Sequence, residues 1–278
     1  NYVIDDITRN ERFKKPPPPF ITSTLQQDAS SKLGYGVQRT MSLAQSLYQK
    51  GKITYMRTDS TNISDQAIKD TKALIEKDFG IGYSSPKNYS TKSKSAQEAH
   101  EAIRPTNVSE KEPAECTGDE LKIYNLIWKR MVASQMAQAK VEDVKLFISD
   151  NNKNVFVSEC QNILFDGFLK LNTINSNSDT EDIVNISNLS TKDNVTLNEL
   201  NVREDFSNPP RRYSEASLVK QLEKLGIGRP STFAQMIQTN INKNYISKGV
   251  SKGEERSINI FSLKNHNITK TPETRFFN

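Results

Sequence analysis

The segment Lys32-Leu33-Gly34-Tyr35-Gly36, with Thr40-Met41 behind it, returns 192 residues later as Lys224-Leu225-Gly226-Ile227-Gly228 with Thr232-Phe233. In the first copy an apolar spacing of three to four residues runs up to the glycines and resumes after them, the pattern of helix, turn, helix. Leu25, Ala29 and Leu33 mark one face of a helix entered at Ser23, whose hydroxyl can cap it, with Gln26 at capping-box spacing. Gly34 and Gly36 end that helix. A second helix over about 38–50 carries Met41, Ala44, Leu47 and Tyr48 inward and stops at Gly51. Each copy then reaches an aromatic strand start, Tyr55 in one and Tyr245, two residues earlier in register, in the other. This order is the outline of a winged helix-turn-helix, so two related modules are expected. Leu-Gly-x-Gly also ends many unrelated helices, and that simpler account of the repeat stays open.

The rest of the chain fits around those modules. Residues 1–7 read as a strand entered in mid-protein, without the pattern of a signal peptide, as expected of an internal piece of a longer protein. A charged stretch from residue 10 leads into the prolines at 16–19, which favour extended polyproline geometry and read as a connector. Ser64 can cap a helix over about 65–79 with Ile68, Ile75 and Phe79 inward; 98–103 reads as a short helix stopped at Pro105. Residues 120–138 read as a long amphipathic helix with Trp128 in the core. From Val141 the period changes to two, through Val144, Leu146 and Ile148, then Val155 and Val157, then Ile163 and Phe165, which predicts antiparallel β structure. Residues 173–193 are polar, Asn208-Pro209-Pro210 marks a linker, and 248–253 with 257–261 reads as a basic hairpin, the wing of the second module.

No apolar run approaches the ~20 residues a membrane helix needs. A net charge of +5 permits a polyanionic partner without demanding one. Cys116 and Cys160 are the only cysteines, so neither a disulfide framework nor a CxxC zinc site is expected, in keeping with a reducing, cytoplasmic setting.

The stretch Ile53-Thr54-Tyr55-Met56-Arg57-Thr58-Asp59-Ser60 sets a phenol and a guanidinium two residues apart, and on a strand both point to one face. A phenol with a reference pKa of about 10 attacks at neutral pH only if its proton is taken or the phenolate is stabilised. An arginine is always charged and matches a phosphate bidentately, so the pair suits attack on a phosphodiester. Most such pairs are simply a half-buried aromatic beside a solvated charge. His100 and Arg104 lie four apart, on one face if helical, and with only His100 and His266 in the chain zinc ligation is not indicated. Gly228-Arg229-Pro230-Ser231-Thr232 fits a helix N-terminus able to hold a phosphate, or an ordinary cap by Ser231. Arg211, Arg212 and Lys220 add attraction for a polyanion, as ordinary solvated charges also would.

Residues 19–60 closely resemble the nucleophile region of type IA DNA topoisomerases, and two further blocks match in that family's order: 97–106, and 212–220 running on through 226–232. The resemblance covers most of 19–140 and 207–246, thins over 141–206 and fades after 250. It implies an α+β multidomain chain: two winged helix-turn-helix modules flanking an antiparallel β-rich gate, part of a toroidal core. Residues 1–15 with 141–206 would form the gate, 16–140 the nucleophile module and 207–278 the second DNA-binding module.

The resemblance further implies that Tyr55 attacks single-stranded DNA, leaving a 5′-phosphotyrosyl link, with Arg57 stabilising the phosphate. Strand passage and religation would follow, relaxing underwound DNA without ATP. His100 supports the nucleophile and binding of the cleaved strand, while Arg104, Arg212, Lys220, Arg229, Ser231 and Thr232 contact DNA. The family's magnesium-binding Toprim domain, which supplies a glutamate and a lysine, has no counterpart in this sequence, so Mg2+ is expected only through such a domain in cis or trans. The family's zinc ribbons are absent as well. The protein is expected to be monomeric and nucleoid-associated, with no membrane partner. An incomplete single-strand-binding module of the same fold is the rival reading, and a reverse gyrase core, separable by an upstream helicase, is a third.

Overall fold

Alternation of apolar residues builds the first sheet. In a computed structural model of the chain, which describes residues 2–89, 100–116, 118–173, 189–207, 209–250 and 253–277, β1 (Tyr2–Lys14) pairs antiparallel with β2 (Ala139–Asp150) along nearly its whole length. β2 pairs in turn with β3 (Val155–Phe165), and the short β4 (Asn194–Val195) joins β1, giving the order β3-β2-β1-β4. The charged residues 10–14, expected in the connector, belong to β1, where Arg12 pairs with Asp143 and Arg9 with Glu142 across the strands. Opposite charges facing each other in a ladder extend a strand that apolar pattern alone would have ended.

Residues 15–19 then cross to a helical body. Its elements are α1 (Thr22–Leu33), α2 (Val37–Gln49), α3 (Asp65–Asp78) and α4 (Gly118–Ser134), with one turn of helix, α5 (Lys170–Thr173), returning onto it. Phe20, Leu25, Leu47, Ile75, Ile123, Tyr124 and Ile127 are buried in one core, and Trp128 lies among them, its indole N–H donating to the Val108 carbonyl at 2.7 Å. α1 is entered differently from the expected cap at Ser23: the Thr24 hydroxyl accepts the Ile21 N–H at 3.0 Å, and Ser23 donates to Glu223 at 2.7 Å. The glycines act as the repeat requires. Gly34, after α1, sits at φ 67° and Gly226, after α6 (Glu215–Lys224), at φ 70°, left-handed conformations that carry no steric cost only for glycine.

α7 (Phe233–Asn242) completes the second helix pair, which packs on the first, α1 along α6 and α2 against α7, over a small core of Val37, Val219, Phe233 and Ile237. The strand expected at Tyr245 is absent, since 243–250 are irregular. The hairpin expected over 248–261 lies further on: β6 (Glu254–Lys264) and β7 (Asn267–Phe277) turn through Asn265 and His266, both at positive φ, as a two-residue hairpin demands. β5 (Glu199–Arg203), placed on sequence with the gate strands, hydrogen-bonds to β6 instead. The architecture is α+β with antiparallel sheets. Among the described residues no helix is long and apolar enough to cross a membrane.

Candidate active site

Tyr55 does not lie on a strand. From Ile53 to Ser60 no ladder forms beyond a single bridge between Ile53 and Pro105, although burial alternates: Met56, Thr58 and Ser60 are buried, whereas Tyr55 is 43% exposed and Arg57 is exposed as well. Side-chain hydroxyls hold the segment where a ladder would. The Thr22 hydroxyl, on the first turn of α1, donates to the Met56 carbonyl at 2.8 Å and accepts the Thr58 N–H at 2.9 Å. The Thr58 hydroxyl accepts the Ser60 N–H at 3.0 Å, and the Ser60 hydroxyl accepts the Asn62 N–H at 3.1 Å. Buried backbone groups outside regular structure need such partners, which is why a Thr/Ser-rich sequence can fold into a fixed irregular loop.

The expected helix over 98–103 is also replaced. Residues 98 and 99 lie outside the described residues, and 100–106 run extended beside 51–54: the Thr54 N–H donates to the Arg104 carbonyl at 2.9 Å, the Thr54 hydroxyl to the Ala102 carbonyl at 2.7 Å, and the Thr106 N–H to the Lys52 carbonyl at 3.0 Å. In an extended chain His100 and Arg104 are far apart, so their shared helical face does not arise. His100 meets the nucleophile candidate, its ring edge-on to Tyr55 with centroids 6.3 Å apart. Arg104 instead donates to Glu101 at 2.6 Å and to the Pro105 carbonyl at 3.0 Å, its side chain only 14% exposed.

A second ring contact was not foreseen. Tyr48, expected in the core face of α2, is 42% exposed and packs edge-on against Tyr55 at 5.3 Å between centroids. Its place in the last turn of α2, just before the glycine that feeds the Tyr55 loop, is the one sequence signal that could have found it. Tyr55 thus stands between Tyr48 and His100, its hydroxyl making no hydrogen bond among the described residues, and the Arg57 guanidinium beside it in sequence is likewise unpaired there. This arrangement can present a phenol and a cation to an incoming phosphodiester.

The remaining candidates lie on the second helix pair. Arg212, Lys220, Arg229 and Ser231 are exposed. The Thr232 hydroxyl accepts the Arg229 N–H at 2.8 Å and donates to the Arg229 carbonyl at 3.2 Å, a capping role ahead of α7. Among the described residues none of these side chains touches Tyr55, Arg57 or His100 by a hydrogen bond or ring contact. No group of three or more His, Cys, Asp or Glu residues among them is arranged to hold a metal ion, so magnesium does not fit a site built from this chain's described residues.

A family model described as DNA topoisomerase matches residues 1–271. DNA topoisomerase 1 of Campylobacter jejuni is 43% identical over 259 residues, covering 88% of this chain and 36% of that protein. DNA topoisomerase 1 type prokaryotic of Acanthamoeba polyphaga mimivirus is 40% identical over 284 residues, covering 96% of this chain and 33% of the viral protein. Among solved structures, full-length topoisomerase I from Thermotoga maritima superimposes with a TM-score of 0.72 at 35% identity, over 89% of this chain and 42% of that one. The chain therefore spans about a third of the length of these curated relatives.

Proposed function

The chain belongs to the type IA DNA topoisomerase family, and from that premise we propose that it carries the nucleophile half of a single-strand DNA cleavage and religation centre. The observation that carries the reading is Tyr55 itself: exposed, braced by Tyr48 and His100, its hydroxyl unpartnered, with an unpaired arginine two residues on. The Tyr55 oxygen attacks a phosphodiester of a single-stranded segment of underwound DNA. The phosphotyrosyl bond forms at the 5′ phosphate as the bond to the 3′ oxygen breaks, and that oxygen takes up a proton. After strand passage the 3′-hydroxyl attacks in reverse and Tyr55 leaves. The phosphodiester energy is conserved in the covalent link, so relaxation of negative supercoils needs no ATP. Arg57 offsets the charge that grows on the phosphate, and His100 orients the phenol.

Among the described residues no base lies within hydrogen-bonding distance of the Tyr55 hydroxyl, so proton transfer draws on groups outside them. A Toprim domain, in cis or trans, is the source we assign to them and to Mg2+. The two helix pairs, alike in their left-handed glycines, are read as related helix-turn-helix modules of a ring-shaped core. Arg212, Lys220, Arg229, Ser231 and Thr232 hold the strand's backbone, and Arg104 acts on it only indirectly, through the extended segment it anchors.

The absence of a metal-holding cluster among the described residues favours a second reading, in which this chain alone binds single strands without cutting them. One experiment separates the two. The chain is incubated with magnesium and a labelled single-stranded oligonucleotide, alone and with a separately expressed Toprim domain, and protein–DNA adducts are trapped with alkali or detergent. An adduct at Tyr55 that disappears in Tyr55→Phe establishes the nucleophile. Binding without an adduct in either mixture leaves the binding module.

A further inference from the structure

The first sheet ends on a strand with an open edge. β3 is the outermost strand in the order β3-β2-β1-β4, and among the described residues nothing pairs with its outer side. It is 11 residues long, and its apolar ends face solvent: Val155, Val157, Ile163 and Leu164 are 57, 53, 55 and 48% exposed. A long apolar edge is a template for a further strand, which proteins ordinarily blunt by shortness, lysine or proline. The other edge strands here are blunted in that way. β4 has 2 residues and β5 has 5, while β7 carries Lys270, Pro272, Glu273 and Arg275. β3 holds no proline, glycine or lysine, and its one charge, Glu159, is tied to Lys145 of β2 at 2.6 Å.

The sequence of β3 decides which strand that edge fits. Counted outward from Cys160 it has the same character in both directions, polar at 158, 159, 161 and 162 and apolar at 155–157 and 163–165. An antiparallel copy laid against it with Cys160 on the two-fold axis sets Val157 opposite Ile163 and Glu159 opposite Gln161, apolar on apolar and carboxylate on amide. Directly opposite residues share a face of the sheet, so each of these pairs makes side-chain contact. The neighbouring symmetric registers are poorer: one centred on Glu159 opposes two like charges, and one centred on Gln161 sets Glu159 against Ile163. The Phe165 end of β3 leads through 167–173 into the helical body, where Leu171 is buried. Antiparallel pairing therefore sends the two helical bodies to opposite ends of the joined sheet.

The family resemblance alone leads to the expectation of a monomer. We propose that two copies of this chain pair edge to edge along β3, in the register centred on Cys160, as a two-fold symmetric dimer with one continuous sheet. The pairing is independent of the reading of Tyr55.

The test measures the mass of the whole chain by analytical ultracentrifugation over a range of concentrations. One strand edge is a small interface, so the expected result is a reversible rise of the average mass toward twice that of one chain. Val157→Lys/Ile163→Lys sets lysine opposite lysine in this register and should hold the chain at a single mass, as should Val157→Glu/Ile163→Glu. Mixing the two variants sets glutamate opposite lysine and should restore the pair. Both positions are more than half exposed, and Trp128 emission checks that each variant is folded. Copper phenanthroline, taking two electrons from two thiols as their protons leave, should join the parent chains through Cys160. Opposed Cα atoms stand about 4.5–5.5 Å apart in such a ladder, within reach of a disulfide. Cys160→Ser should abolish that link, since Cys116 is buried. A single-chain mass at every concentration, or a dimer indifferent to the lysine variant, would overturn the proposal. Folded variants that stay single when mixed would overturn its register.

Discussion

Tyr48 and Tyr55 are an exposed pair of phenols, and exposure matters because a ring free on one side can turn away from an incoming phosphate. The edge-on contact at 5.3 Å, with His100 at 6.3 Å, restricts the Tyr55 ring without touching its hydroxyl. Edge-to-face pairs contribute about 0.5–1.5 kcal/mol beyond area burial. If that energy is used to hold the proposed nucleophile in line, its loss should appear in the rate of attack and not in DNA affinity. Tyr48→Ala is therefore expected to slow adduct formation roughly tenfold, in single-turnover assays with the Toprim domain supplied, while leaving oligonucleotide affinity nearly unchanged. Tyr48→Phe keeps the ring edge and should behave like the parent. A fall in affinity equal to the fall in rate would instead make Tyr48 a DNA contact.

Among the elements, the Tyr55 loop depends on α1 through one buried hydroxyl. Thr22→Val keeps the shape of the side chain but leaves the Met56 carbonyl and the Thr58 N–H short of a partner. Leaving a buried polar group unsatisfied costs about 1–3 kcal/mol, so the urea midpoint should fall accordingly and adduct formation with it. An unchanged midpoint would mean that water replaces the hydroxyl. This loop is also where the sequence was least legible. α1, α2, α4 and the strand β2 announce themselves because each buries one face at a fixed period, and Gly34 marks a helix end by the conformation it alone takes up freely. The loop has no such period, since it is held by partners 34 and 48 residues away, Thr22 for Met56 and Ala102 for Thr54. Arg104 shows the same limit: a motif match marks it as functional, but only the fold reveals that Glu101 occupies its guanidinium. Tyr55 and Arg57 were still readable as a pair, because their alternation with buried Met56 and Thr58 survives without a ladder.

At the scale of the molecule, the two helix pairs meet over so small an apolar core that polar links between them carry weight. Glu215, at the start of α6, accepts the Val37 N–H at 2.6 Å and pairs with Lys248 at 2.6 Å, while Glu223 at the other end of α6 accepts from Ser23. Gly36 lets the carboxylate approach, since a Cβ there would stand 2.9 Å from its oxygen. Burial raises the affinity of Glu215 for a proton, but Lys248 and the Val37 amide outweigh it and hold the carboxyl below its ordinary value of 4.5. A group whose pKa is lower folded than unfolded adds stability above the unfolded value and loses it as pH falls through the folded one. Glu215→Gln keeps the shape and removes the charge, so at neutral pH its denaturation midpoint should lie below that of the parent. Below pH 4.5 the parent's own carboxyl takes up a proton and its advantage goes, so the two midpoints should converge on further acidification. Asp119, held down to about 2 by Tyr35 and Arg39, is present in both proteins and cancels from the comparison. A gap that stayed constant with pH would place the effect of the substitution in packing, and would remove Glu215 as the electrostatic tie between the first helix pair and the second.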